Sequence, residues 1–149
     1  MSLRNTVCAA MALGLFSAVS VAQAAPPPIV PPGWTTERVP GDRMIIRYVS
    51  PDGRAVLTMR DMPASEPASR VLYRDGESVT YRQRGRSWSV VSGYRGDQIY
   101  YRRANIACGG GRLHLIELNY PATDKRRMDA TVTYISHHLS QYRDVCPKR

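Results

Sequence analysis

The chain has 149 residues, with 21 Lys+Arg against 12 Asp+Glu and a formal net charge of +9. Its 43% hydrophobic and 22% charged residues fit one globular domain, which excludes wholesale disorder and most two-lobed cofactor enzymes. No apolar stretch reaches the roughly 18–20 residues that a membrane-spanning helix needs.

Residues 1–24 read as a cleavable secretory signal peptide. Arg4 gives a positive start, and residues 7–22 are apolar and small, with Met11, Leu13, Leu15 and Phe16 at their centre. Ala22-Gln23-Ala24 then supplies the small-x-small pattern of a signal-peptidase site. Cleavage is expected after Ala24, with Ala25 as the alternative. An anchor helix fits less well, because the apolar run is short and ends in a cleavage site. Cys8 comes too early for a lipobox. The expected location is periplasmic or secreted. Cleavage removes Cys8 and leaves Cys108 and Cys146. In an oxidising compartment these two are expected to form one disulfide, Cys108–Cys146. A loop of several tens of residues closed this way stabilises by ~4 kcal/mol in the chain-entropy model. A redox pair or an intermolecular bridge has no CxxC spacing behind it.

Residues 25–33 carry Pro26, Pro27, Pro28, Pro31 and Pro32. Such a run disfavours helix and sheet interior and predicts an extended tether, with the folded domain, residues 34–149, starting near Trp34. Strands are expected at 34–39 and 44–49. Ser50-Pro51-Asp52-Gly53 is a turn, since Pro presets φ, Asp bonds locally and Gly takes positive φ. Residues 55–60 return as the hairpin partner, with Ala55, Leu57 and Met59 alternating. The stretch 61–76 is broken by Pro63 and Pro67, and 68–73 reads as a short helix or a loop over the sheet. A meander follows: 78–84, 88–92 closed by Gly93, and a long tyrosine-rich strand at 98–107. Gly109-Gly110-Gly111 is read as a tight reversal. The last strand, 112–120, places Ile116, Leu118 and Tyr120 on one face and Leu113 and Leu115 on the other. Thr123 is the expected N-cap of a helix over 124–142. Its apolar stripe is Met128, Val132, Ile135, Leu139 and Tyr142, on a 3.6-residue period. The fold class is therefore α+β: an antiparallel β-sheet of about six strands covered by a C-terminal helix, with one disulfide.

The order of motifs resembles a known group. Tyr48 with Pro51-Asp52-Gly53-Arg54-Ala55 comes first. Trp88-Ser89-Val90-Val91-Ser92-Gly93-Tyr94 and Tyr100-Tyr101-Arg102 follow, then Tyr120-Pro121 before a terminal helix. This is similar to small exported bacterial domains whose fold resembles the PsbP-like α/β/α sandwich. These motifs are structural, and the resemblance implies at most a habit of docking, as the extrinsic PsbP-like proteins of photosystem II dock on a membrane complex.

Catalytic signatures are absent from the sequence. There is no G-x-S-x-G, no H-E-x-x-H and no P-loop. The triple glycine lacks the lysine and following helix of a phosphate cradle. His137 and His138 are adjacent on the helix and point about 100° apart, which is not the i, i+4 pairing of a helical zinc site. With His114 they are expected at the surface or its boundary. No cofactor and no metal are expected. Arg95-Gly96-Asp97 spells the tripeptide that integrins read, yet it is also ordinary turn chemistry and is read as a turn. A catalytic triad assembled only in space leaves no spacing to read.

The positive charge is the feature most suggestive of function. Arg82, Arg84 and Arg86 alternate, so on one strand they would share a face at intervals of about 7 Å. Arg60, Arg102 and Arg103 lie on other strands and extend the expected patch, with Tyr81, Tyr100 and Tyr101 interleaved. The binding residues expected are Arg82, Arg84, Arg86, Arg102 and Tyr100. Guanidinium forks pair bidentately with phosphate, carboxylate or sulfate. The expected partner is an envelope protein, or an anionic glycan or lipid head group; nucleic acid is poorly placed. Against this stands a solvated face with no ligand, since arginine outnumbers lysine 19 to 2, the bias that GC-rich coding produces. The expected role is a non-enzymatic binding or accessory module. The alternatives are an inhibitor or immunity protein of a secreted hydrolase, then a hydrolase with a spatial triad. Mass spectrometry of protein from its native host is expected to find a start at Ala25 and no free thiol. An intact Met1 with free thiols would overturn the export assignment.

Overall fold

The computed structural model describes residues 29–41, 45–65 and 67–142. The expected signal peptide, residues 1–24, and Cys146 lie outside the described residues. The strands are β1 (Thr35–Arg38), β2 (Ile45–Val49), β3 (Val56–Pro63), β4 (Ser78–Arg84), β5 (Trp88–Arg95), β6 (Gln98–Ala107) and β7 (Arg112–Pro121). The helices are α1 (Ala68–Leu72) and α2 (Lys125–Tyr142). The sheet has seven strands in the order β1-β2-β3-β7-β6-β5-β4, and each neighbour is antiparallel. Two meanders build it. β1–β3 form one half, and β4–β7 run inward from the far edge until β7 pairs with β3. The crossover between them carries α1 over one face.

Period-two alternation sorts the side chains between two faces. Tyr48, Leu57, Leu118 and Tyr101 lie in register across β2, β3, β7 and β6. With Met59, Ile116, Ile99 and Val90 they form the larger core, against which α2 packs. Met128, Ile135 and Leu139 of α2 are buried in it, and Val132 is partly buried, as the helical stripe predicts. The Tyr142 side chain lies outside the described residues. The opposite face buries Leu113, Leu115, Ala104, Tyr100 and Val91 beneath Leu72 of α1. β6 and β7 are thus covered on both sides, which explains why both carry apolar residues at successive positions.

Several expectations are corrected. The sheet has seven strands rather than about six. Residues 29 and 30 are not tether: Ile29 is 0% and Val30 5% exposed, both within the larger core. Burying two such side chains is worth roughly 1.5–3 kcal/mol each, so the domain begins before Trp34. Thr123 does not cap α2. It lies in a 3-10 turn, Ala122–Asp124, where its hydroxyl accepts a hydrogen bond from Arg54 at 3.2 Å. In the glycine turn, Gly109 and Gly110 have φ of 66° and 96°, but Gly111 has −84° and Cys108 takes +55°. The reversal therefore starts one residue early. β5 is not closed by Gly93 but continues to Arg95.

The hairpin turn forms as expected. Gly53 N–H donates to Ser50 O at 2.8 Å. Asp52 accepts from the Ser50 hydroxyl at 2.6 Å and from Arg54 N–H at 3.1 Å. Arg95-Gly96-Asp97 is also a turn, with Gly96 at φ 60° between β5 and β6.

Gly93 faces a shift of register in β4 between Val79 and Tyr81. A Cβ at Gly93 would overlap the Ser78 carbonyl oxygen. Gly93→Ala is therefore expected to destabilise the protein by about 3 kcal/mol through backbone displacement, read as a lowered Tm. An unchanged Tm would show that the close approach is not required.

Candidate functional site

Charge on this fold is used in two different ways. On the α1 face, at the centre of the sheet, Arg102 of β6 is 0% exposed. It stands opposite Glu117 of β7 in register. Its guanidinium donates twice to Glu77, at 2.5 Å in each case, once to Glu117 at 3.2 Å, and once to Leu72 O at 3.0 Å. Arg74 reaches the same Glu117 from the crossover, with one contact of 2.9 Å. The Tyr100 ring lies beneath the guanidinium, 4.3 Å from centroid to Cζ. Hydrogen bonds from Arg102 hold the Glu77 carboxyl below its usual range. For Glu117, burial opposes ionisation most strongly, but the bonds from Arg102 and Arg74 outweigh it, and its pKa is also lowered.

Arg102 and Tyr100 therefore leave the expected surface patch. Arg102 is the hub of a buried ion cluster, and Tyr100 is 1% exposed. Arg103 lies on the other face, over the Trp88 ring at 4.7 Å and bonded to Asn105 and Ser136. Arg60 is on β3, with three strands between it and β4. Tyr101 is buried. None of these extends a patch on β4.

Arg82 and Arg84 lie at the surface, on β4. β4 is an edge strand, exposed at all seven positions. Arg82 pairs with Val91 and Arg84 with Ser89, so both belong to the α1 face. Arg86 falls beyond the strand, in the turn before Trp88, and does not share their spacing. Among the described residues none of the three is ion-paired. By contrast Arg47, Arg54, Arg74, Arg95, Arg102, Arg112 and Arg127 all are. Arg82 and Arg84 line an open groove of about 480 Å³ whose apolar wall is Leu72, Tyr73 and Val91.

A second concavity, about 530 Å³, lies on the opposite face between α2 and β4–β6. Tyr81, Trp88, Tyr94, Tyr101, Arg103 and His137 are among its lining residues. Tyr81 and Tyr94 are 49% and 37% exposed. β4 thus stands between a basic groove and an aromatic one.

The histidines do not converge. His114, expected near the surface, is buried on β7, 3.6 Å from Asp61. His138 Nδ1 lies 2.8 Å from Tyr134 O, and its ring stacks on Tyr134. Among the described residues no group of three His, Cys, Asp or Glu is placed to hold a metal, and no helix is long and apolar enough to cross a membrane. No protein-family model and no curated protein matches the chain.

Sequence reasoning missed Glu77 and Glu117. A signal was present for Glu117, which continues the face of Leu113 and Leu115 in a strand buried on both sides. A charge there needs an opposite charge across the ladder. Arg102→Leu is expected to cost about 3–5 kcal/mol in urea unfolding, since it strands buried carboxylates. Replacing Arg102, Glu77 and Glu117 together by leucine is expected to cost less. The acid limb has a definite sign. Both glutamates have folded pKa values below the ordinary 4.5, so their contribution is complete above that pH and falls as pH drops through the folded values. Glu117→Gln is expected to reduce the stability difference between pH 7 and pH 3. Equal acid sensitivity in both proteins would remove Glu117 from the account.

Proposed function

We propose that this protein is a non-enzymatic binding or accessory module of an exported compartment, which engages an anionic envelope partner through the outer end of its sheet. The observation that carries this reading is the contrast among arginines. Among the described residues Arg82, Arg84 and Arg86, on and beside an exposed edge strand, form no ion pair, while Arg47, Arg54, Arg74, Arg95, Arg102, Arg112 and Arg127 are paired with carboxylates. Unpaired guanidinium forks beside an apolar wall suit phosphate or carboxylate groups. The resemblance to PsbP-like domains enters the proposal as a docking habit and nothing more.

Among the described residues the carboxylates whose ionisation is displaced, Asp52, Glu77 and Glu117, all move downward, the direction that hydrogen bonds and ion pairs within the fold impose. The signal peptide and the Cys108–Cys146 bridge belong to the same proposal.

The alternative, an inhibitor or immunity protein of a secreted hydrolase, is favoured by the aromatic cleft. Exposed Tyr81 and Tyr94 there supply the kind of anchor that dominates tight interfaces. Salt separates the two. Capture from envelope extract through a charged surface is expected to weaken about tenfold or more between roughly 50 and 200 mM salt, and to be lost in Arg82→Ala/Arg84→Ala/Arg86→Ala. If wild type and triple variant recover the same partners at both salts, the basic surface is not the site.

A further inference from the structure

We infer that β4 binds an extended acidic segment of a partner protein by strand addition, an inference that rests on the anionic-partner reading and specifies its class. The argument starts from the ladder. Gly85 N–H donates to Trp88 O at 2.9 Å, which makes that pair hydrogen-bonded. Antiparallel pairs alternate. The Arg84–Ser89 and Arg82–Val91 pairs are therefore the non-bonded ones, while Gln83–Val90 and Tyr81–Ser92 are bonded. The backbone N–H and C=O of Arg82 and Arg84 consequently point away from β5, off the edge of the sheet. The same two residues carry guanidinium groups that form no ion pair among the described residues.

A strand laid along this edge acquires a defined pattern. Residues bonded opposite Arg82 and Arg84 project onto the α1 face, beside both guanidinium groups. Acidic side chains are matched there, as directly opposed unlike charges are favourable cross-strand pairs. The residue between them projects onto the other face, next to Tyr81 and the aromatic cleft, where an apolar side chain is matched. The segment recognised is short, because the register shift between Val79 and Tyr81 leaves Tyr81–Arg84 as the regular part. Alternate side chains reading two pockets while the main chain supplies affinity is the general form of this recognition mode.

The occupant is not a second copy of this chain. Antiparallel self-pairing centred on Gln83 would set Arg82 against Arg84 twice, and like charges directly opposed are destabilising. Edge arginines and a bulge are devices that prevent indiscriminate strand pairing. Here they leave the edge open to a segment of opposite charge alone. A lipid head group would satisfy the guanidinium groups but leave the outward backbone groups unused.

The test uses the protein with an acetylated six-residue peptide alternating glutamate and valine. Two derivatives accompany it, one N-methylated on the glutamates and one on the valines. Vesicles of phosphatidylglycerol form a separate arm. The parent and valine-methylated peptides are expected to bind and to slow amide exchange at Arg82 and Arg84. The glutamate-methylated peptide is expected to bind at least tenfold more weakly, because its donors toward β4 are gone. Arg82→Ala is expected to weaken the parent peptide, and Arg82→Pro to weaken it further by deleting an outward N–H at a position where an edge strand tolerates proline. Thermal unfolding checks that both variants fold. Equal binding of the two methylated peptides, still dependent on Arg82 and Arg84, would overturn strand addition and leave the anionic-partner reading standing. Arginine-dependent binding of vesicles without binding of peptide would also overturn it, in favour of a lipid. Binding of neither would overturn both.

Discussion

The buried pairing of Arg102 with Glu77 and Glu117 fixes the arrangement of everything on the α1 face. A one-residue slip of β6 against β7 would move Arg102 to the α2 face, away from Glu77 and Glu117. The hydrophobic effect tolerates such an error poorly, and an unpaired guanidinium tolerates it less. Arg102 also donates to Leu72 O, and Arg74 bonds Glu117. The ion cluster therefore ties the β3–β4 crossover to the middle of the sheet, as well as joining β6 to β7.

That tie decides what is left uncovered. α1 has five residues and sits over Leu113, Leu115, Ala104 and Val91. It is too short to reach across the outer strand. On the opposite face α2 buries its stripe in the larger core with Leu57, Ile116 and Leu118, so β4 lies beyond both helices. Concavities flank the outer end of the sheet because each helix covers only part of its face. The position of the candidate site is thus a consequence of helix length and placement, and it requires no residue of the core to be sacrificed to it.

Much of this was legible in the sequence. The sequence pattern predicts β4 and β6 with the bounds they have in the structure, and the alternation in β7 separates Ile116 and Leu118 from Leu113 and Leu115. Those segments obey local rules: a period of two, and turn residues at their ends. The failures have a common physical cause. Ile29 and Val30 sit between prolines, and only tertiary contact shows that they enter the core. Thr123 is a good cap by type, but a preceding 3-10 turn and the side chain of Arg54 claim its hydroxyl. Arg102 looked like one more surface arginine because its partner Glu77 is 25 residues away along the chain. Strand order, which decides that Arg60 is remote and that Arg82 lies at an edge, is set by long-range pairing that composition does not encode.

The same residue type serves opposite ends because its place in the sheet sets its solvation. At the centre, an arginine retains its charge only with carboxylates around it, and its forks are then fully occupied. At the edge, water solvates the charge, so no internal partner is needed and the forks remain available. Selection against edge-to-edge association favours charge at such positions whether or not a ligand exists. An edge arginine alone is therefore weak support for binding. What distinguishes β4 is the coincidence, at Arg82 and Arg84, of outward backbone groups, side chains with no ion pair among the described residues, and an apolar groove wall. Protection of the edge accounts for the charge, but it does not require the groove beside Leu72 and Val91 or the tyrosines across the strand.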